Sequence, residues 1–284
     1  MVTLYSGTGK RIDIDTAAQN RDFTPWADVL HRGWHEGVPD NTLPAYYLIA
    51  QNGYHWGECD LFACADGTPI LSHNATITGT INGVSTTLTV AESTEAEIKQ
   101  LVLATHPAYG EIHPASLADL LELAKTINIG IVLDMKVGSY FNNTAKAEAV
   151  ARTVIASGWA DHVIYMPTTV NDAKAIQAID RNASFDFVSS VKTADKLPTD
   201  FSGMTSLLTG SNTVGYDFQG GVSDECIEIV HNAGLSVSFW GISSTEHFRH
   251  NPLRVTYSSY QYAHLGRDYI RQKQDELAAQ YPIG

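Results

Sequence analysis

Two carboxylates one residue apart, Glu58 and Asp60 in Trp56-Gly57-Glu58-Cys59-Asp60-Leu61-Phe62, stand between two histidines that each close a short apolar run. The first is His31, in Asp28-Val29-Leu30-His31-Arg32-Gly33, and the second is His73, in Thr68-Pro69-Ile70-Leu71-Ser72-His73. On an extended strand, residues two apart project to the same face, so Glu58 and Asp60 point together. Two like charges that close require a cation between them or a proton on one of them. An all-oxygen donor set suits a hard divalent ion, Mg²⁺ or Ca²⁺, better than zinc. A metal flanked by two imidazoles favours phosphoryl chemistry over redox chemistry.

Each of these residues also has a plainer reading. An arbitrary Glu-x-Asp is more often a pair of surface acids, and a lone histidine is more often structural. Here Trp56, Leu61 and Phe62 give the acids an apolar setting, and a further apolar run supplies a match. That run, Ile131-Val132-Leu133-Asp134-Met135-Lys136, carries an acid and a lysine on one face. A buried aspartate and lysine are costly unless they meet partners. Asp134 as a third metal ligand and Lys136 as a phosphate contact resolve both costs, although Lys136 could simply neutralise Asp134. Arg32 could equally brace the loop before Asn41. Trp240, in Ser236-Val237-Ser238-Phe239-Trp240-Gly241, is placed to wall a substrate. His31 and His35 have the spacing of a helical zinc motif, but Gly33 and Gly37 make a helix there untenable. The remaining histidines show no paired spacing and read as structural or exposed.

Strand-like and helix-like segments alternate along the chain and position these groups. Strand patterns fall at 28–32, 56–62, 130–136, 162–167, 184–190, 213–218, 235–241 and 254–259. Helical patterns fall at 42–52, 116–128, 144–157, 170–180, 224–233 and 265–280, with Ser116 a candidate N-cap. Eight βα units predict a parallel sheet closed into a (β/α)₈ TIM barrel, with its active site at the C-terminal strand ends. Residues 1–27 read as a separate N-terminal hairpin or extension and 28–284 as the barrel. The stretch at about 74–115, rich in Thr, Ile and Gly, reads as a small insertion after the second strand, with a capping-box signal at Thr94 and Glu97.

Composition narrows the partners. The 284 residues carry 31 acidic against 18 basic side chains, a net charge of −13. That balance disfavours nucleic acid and anionic membrane surfaces, while leaving a phosphate substrate open, since local charge governs a site. Cys59, Cys64 and Cys226 form no metal-ligand spacing and leave an odd thiol, against a disulfide framework. No apolar run approaches a membrane span and no leader is evident; a cytoplasmic location is the default expectation, with a phage-borne or secreted setting the alternative.

Together these stretches resemble the glycerophosphodiester phosphodiesterases, whose pattern runs HRG, PENTLPAF, E-x-D, a DG turn, a strand ending HD, LEIK and V-x-x-W-T. Matching stretches are His31-Arg32-Gly33, Pro39 to Pro44, Glu58-Cys59-Asp60, Asp66-Gly67, Leu71-Ser72-His73, Leu133-Asp134-Met135-Lys136 and Val237-Ser238-Phe239-Trp240. The resemblance implies Glu58, Asp60 and Asp134 as ligands of one divalent cation, His31 and His73 as an acid–base pair, and Arg32 and Lys136 as phosphate contacts. It implies hydrolysis of a glycerophosphodiester to glycerol phosphate and an alcohol through a cyclic phosphate, as in lipid metabolism. The same chemistry on a glycerol-phosphate polymer such as a teichoic acid, or a non-catalytic barrel that binds a phosphorylated ligand, are the alternatives. Four positions depart from the pattern. Asp40 and Asp134 each replace a glutamate, Asn74 replaces the aspartate after the second histidine, and no Thr follows Trp240.

Overall fold

A computed structural model describes residues 27–242 without a break, together with 4–5, 11–12, 254–257, 262–269, 272 and 279. Eight strands form one ring. They are β1 (Ala27–Leu30), β2 (Trp56–Ala63), β3 (Gly130–Met135), β4 (Val163–Met166), β5 (Ser184–Ser189), β6 (Val214–Gln219), β7 (Ser236–Ile242) and β8 (Arg254–Tyr257). Each pairs in parallel with the next, and β8 closes onto β1 with Tyr257 opposite Leu30. The fold is therefore a closed (β/α)₈ TIM barrel.

Helices between the strands cover the ring: α1 (Leu43–Gln51), α2 (Leu117–Ile127), α3 (Thr144–Ser157), α4 (Val170–Ile179) and α5 (Asp224–Asn232), with a further helix at 262–269. Local sequence sets their ends. Ser116 and Asp119 form a capping box on α2, Thr169 caps α4 by accepting from the Asp172 amide, and Gly234 follows α5 at φ +83°. Pro44 sits in the first turn of α1, where its missing N–H costs nothing.

Alternation along the strands sorts side chains between two cores. Cys59, Leu61, Ile131 and Leu133 pack outward against the buried faces of the helices, including Tyr46, Leu120 and Val150. Val29, Val132 and Met166 pack inward with Trp56 and Ile164, filling the floor of the barrel. The polar residues that alternate with Cys59 and Leu133 therefore face the lumen above that floor.

Residues 64–115 hold more ordered structure than an insertion of unspecified form would require. A short strand, Pro69–Leu71, returns antiparallel along the top of β2, with Leu71 opposite Leu61. A hairpin of Thr76–Ile81 and Val84–Thr89 turns at Asn82-Gly83, both at positive φ, the pairing that a two-residue primed turn favours. A second hairpin joins Ala104–His106 to Gly110–Ile112, and Thr94 and Glu97 form their capping box between the two. Near the N-terminus, Leu4 pairs with Ile12 and Tyr5 with Arg11. The turn of that expected hairpin lies outside the described residues. Among the described residues, no helix is long and apolar enough to cross a membrane.

Candidate active site

Register brings the acids together. The pairing of β2 with β3 sets Asp60 directly opposite Asp134, and Glu58 opposite Val132 one inward-facing layer below. Glutamate has one more methylene than aspartate, so its carboxylate can rise from the lower layer to the level of the other two. Oxygens of Glu58, Asp60 and Asp134 lie within 4.8 Å of one another, with Glu58 and Asp60 buried and Asp134 partly so.

The site compensates this concentrated charge from every side. Lys136 Nζ lies 2.5 Å from both Asp60 Oδ1 and Asp134 Oδ2. Arg32 Nε lies 3.0 Å from Asp60 Oδ2, and its Nη1 lies 3.1 Å from Asp40. The Arg32 amide donates to Glu58 Oε2 at 2.9 Å. Both simple readings of these cations hold in the structure: Lys136 neutralises Asp134, and Arg32 braces the loop before Asn41, whose amide donates to the Arg32 carbonyl.

Electrostatics differ among the three acids. Burial, reinforced by Asp60 and Asp134, pushes the Glu58 carboxyl well above its ordinary range. Burial acts the same way on Asp60, but Lys136 and Arg32 outweigh it and hold that carboxyl below its usual value. Burial also raises Asp134, only partly offset by Lys136. Ionised together, the three carboxylates outweigh the charge of Lys136 and Arg32 combined, and a cation can take the place of the proton that burial favours on Glu58. The donors are all hard oxygens, and the fit to a divalent cation of the Mg²⁺ or Ca²⁺ type is good.

Two flanking elements carry the histidines. His31 follows Leu30, the last residue of β1, at the rim beside Glu58. Burial, with Arg32 and Lys136 nearby, depresses it from 6.5 to about 4. His73 arrives from the other direction on the antiparallel return, where the Ser72 amide donates to the Asp60 carbonyl at 2.9 Å. Its Nδ1 lies 3.1 Å from Asn74 Oδ1. The amide that replaces an aspartate thus still orients the imidazole, without adding charge. His73 is close enough to Asp134 to act on its charge, and His31 is likewise close to Asp60.

Trp240, the expected substrate wall, stands on β7. It lies two residues before the end of that strand, and its indole N–H donates to the Ser189 carbonyl of β5 at 3.1 Å. Trp34 is buried against Tyr54 and His264, which makes it a loop-packing residue.

Two residues that sequence reasoning left without a role hold the acids in place. Asn41, buried and at φ +53°, donates from Nδ2 to Asp60 Oδ2 at 2.7 Å and accepts from the Asp60 amide at 3.1 Å. Tyr46 Oη lies 3.1 Å from Asn41 Oδ1 and 3.0 Å from the Glu58 carbonyl. Asparagine tolerates the left-handed region better than most residues. The signal was an Asn between Asp40 and the start of a helix at Thr42-Leu43-Pro44. Gly33 belongs to the same support: at φ +86°, an added Cβ would lie 2.8 Å from Ala45 Cβ.

Residues 31–269 match the Glycerophosphoryl diester phosphodiesterase family. The chain belongs to that family. Among curated relatives, bovine Glycerophosphodiester phosphodiesterase 1 is 42% identical over 55 residues, 19% of this chain and 17% of that protein. The match thus spans about a sixth of the relative's length. Among solved structures, an Oleispira antarctica phosphodiesterase in complex with the product sn-glycerol-3-phosphate aligns with a TM-score of 0.69 at 18% identity, covering 85% of this chain and 96% of that one. A glycerophosphodiester phosphodiesterase from Parabacteroides distasonis aligns at 0.65 and 17%, covering 88% and 98%. Identities this low establish the shared barrel. The glycerophosphoryl diester phosphodiesterase assignment rests on the match along the chain itself.

Proposed function

We propose that this protein hydrolyses glycerophosphodiesters to glycerol phosphate and an alcohol, with one divalent cation held by Glu58, Asp60 and Asp134. The observation that carries the reading is the convergence of three carboxylates at the C-terminal ends of adjacent barrel strands, between two histidines, in a chain of this family. When bound, the cation supplies Lewis-acid stabilisation of the phosphate and acidifies a neighbouring hydroxyl.

The protein's own groups then divide the proton transfers. His31, with its pKa depressed to about 4, is neutral near pH 7 and accepts the proton of the attacking glycerol hydroxyl. His73, with Nδ1 directed at Asn74, is left with Nε2 to protonate the departing alcohol. The hydroxyl's oxygen forms a bond to phosphorus as the bond to the alcohol oxygen breaks, leaving a cyclic phosphate. Water then opens the ring: His73 takes a proton from water and His31 returns one to the glycerol oxygen. Arg32 and Lys136 offset charge on the phosphoryl oxygens.

The deciding experiment measures product release from a panel of glycerophosphodiesters, including a glycerol-phosphate polymer, after EDTA treatment and after return of Ca²⁺ or Mg²⁺. Loss with chelator and recovery with either ion is expected. Tight binding of the diester without turnover under any ion would replace hydrolysis by the binding-only reading.

A further inference from the structure

Two clefts of unlike lining lie next to the carboxylate cluster, one against the Asp60 partners Arg32 and Asn41 and the other against Asp134 itself. One, of about 270 Å³, is bounded by Arg32, Asp40, Asn41, His73, Asn74 and Thr78. The other, of about 250 Å³, begins at Asp134 and runs over the ends of β4–β6 between Met166, Val170, Phe187, Met204 and Tyr216. Asp134 is the one ionisable carboxylate in its lining, and Lys136 already engages that group.

The second cleft offers little to a polar ligand. Its two threonines, Thr168 and Thr169, both direct their hydroxyls to Asp172 Oδ2, at 2.7 and 2.6 Å. Its outer edge is apolar as well: Val137 is 66% exposed and Val188 47%, and Phe141, four residues beyond Val137 and so on the same side of that turn, is 63% exposed. Isolated exposed apolar residues need no explanation, but a row leading out of a cleft that starts at the reacting groups marks a contact surface.

Resting on the phosphodiesterase reading, we propose that this second cleft seats the leaving alcohol and selects an apolar chain on it, while the hydroxyl-rich glycerol lies on the Arg32–His73 side. A diester laid across the carboxylates then places its phosphate between the histidines and its alkyl chain along Met166, Phe187 and Met204. The competing occupant is a quaternary ammonium, for which Phe187 and Tyr216 could serve as aromatic walls. Methionine and valine outnumber those rings, and Lys136 already engages the nearby carboxylate, so the alkyl chain fits better.

The test is a series of glycerophosphoalkanols from ethyl to octyl, with glycerophosphocholine alongside, followed by glycerol phosphate release below the micellar range. The expected kcat/KM rises by roughly fourfold per methylene until the cleft is filled, and octyl exceeds choline. In the variants Val188→Gln and Met204→Gln the dependence on chain length flattens. A flat series in the unaltered protein, or choline as the fastest substrate, overturns the apolar assignment and leaves the phosphodiesterase reading standing. Absence of turnover on every member overturns both.

Discussion

Strands β1–β3 and β4–β6 end at the same rim of one barrel but finish in contrasting chemistry. The first three deliver Arg32, Glu58, Asp60, Asp134 and Lys136 into a continuous web of ion pairs and hydrogen bonds, with His31 close enough to feel the charge of Asp60. The next three line the second cleft with Met166, Phe187, Val188 and Tyr216, its hydroxyls turned aside to Asp172, while Asp186 and Asp217 of β5 and β6 are buried apart from that lining. Burying charge is tolerable only when each group meets an opposite charge or a donor, so the polar half must be cooperative and sensitive to single deletions. The apolar half relies on non-directional packing, which tolerates changes of shape more gradually.

Breaking the polar half at a histidine is expected to have the largest effect. His31→Ala or His73→Ala should lower kcat by about 10²- to 10⁴-fold, with circular dichroism and thermal midpoint close to those of the unaltered protein. A variant that keeps near-normal turnover would remove that histidine from the acid–base pair. In the apolar half, Phe187→Ala should lower unfolding free energy by about 3 kcal/mol in denaturant titration while leaving Ca²⁺ affinity within error. A drop in cation affinity there would dissolve the contrast between the halves. Asn41→Ala should weaken Ca²⁺ or Mg²⁺ binding by about 10- to 100-fold, as read by calorimetry, because Asp60 loses the group that orients it; unchanged affinity would make Asn41 a loop residue only.

The smallest expected effect is a pH dependence. Because the folded pKa of His31 lies below the unfolded value, near 4 against 6.5, its contribution to stability is present above about pH 6.5 and declines as pH falls toward 4. In metal-free protein, the His31 ring resonance should titrate near pH 4, and His31→Gln should flatten the fall in stability between pH 6.5 and 4. A titration midpoint near 6.5 would show that the ring is solvated and not held from water beside the Arg32 and Lys136 charges.

Much of this molecule was legible before folding. The eight barrel strands fall within a few residues of their expected positions because apolar runs alternating with helical periods are a local property, and the helix starts at Ser116 and Thr169 follow from side chains that bond their own backbone. The convergence of Glu58 with Asp60 also follows from a period of two. The hairpin at Asn82-Gly83 had a readable turn signal, whereas the antiparallel return that carries His73 beside Asp60 did not, since three apolar residues carry no direction.

Chain order alone thus determined which groups could do chemistry and which strand each would ride. The tertiary structure decided the rest. Only the β2–β3 register sets Asp60 level with Asp134, only the folded loop turns Asn41 onto Asp60, and only the successive pairing of β3 through β6 gathers Met166, Phe187 and Tyr216 beside Asp134. Such contacts join residues far apart in the chain, and their geometry depends on packing and pairing that no single segment contains.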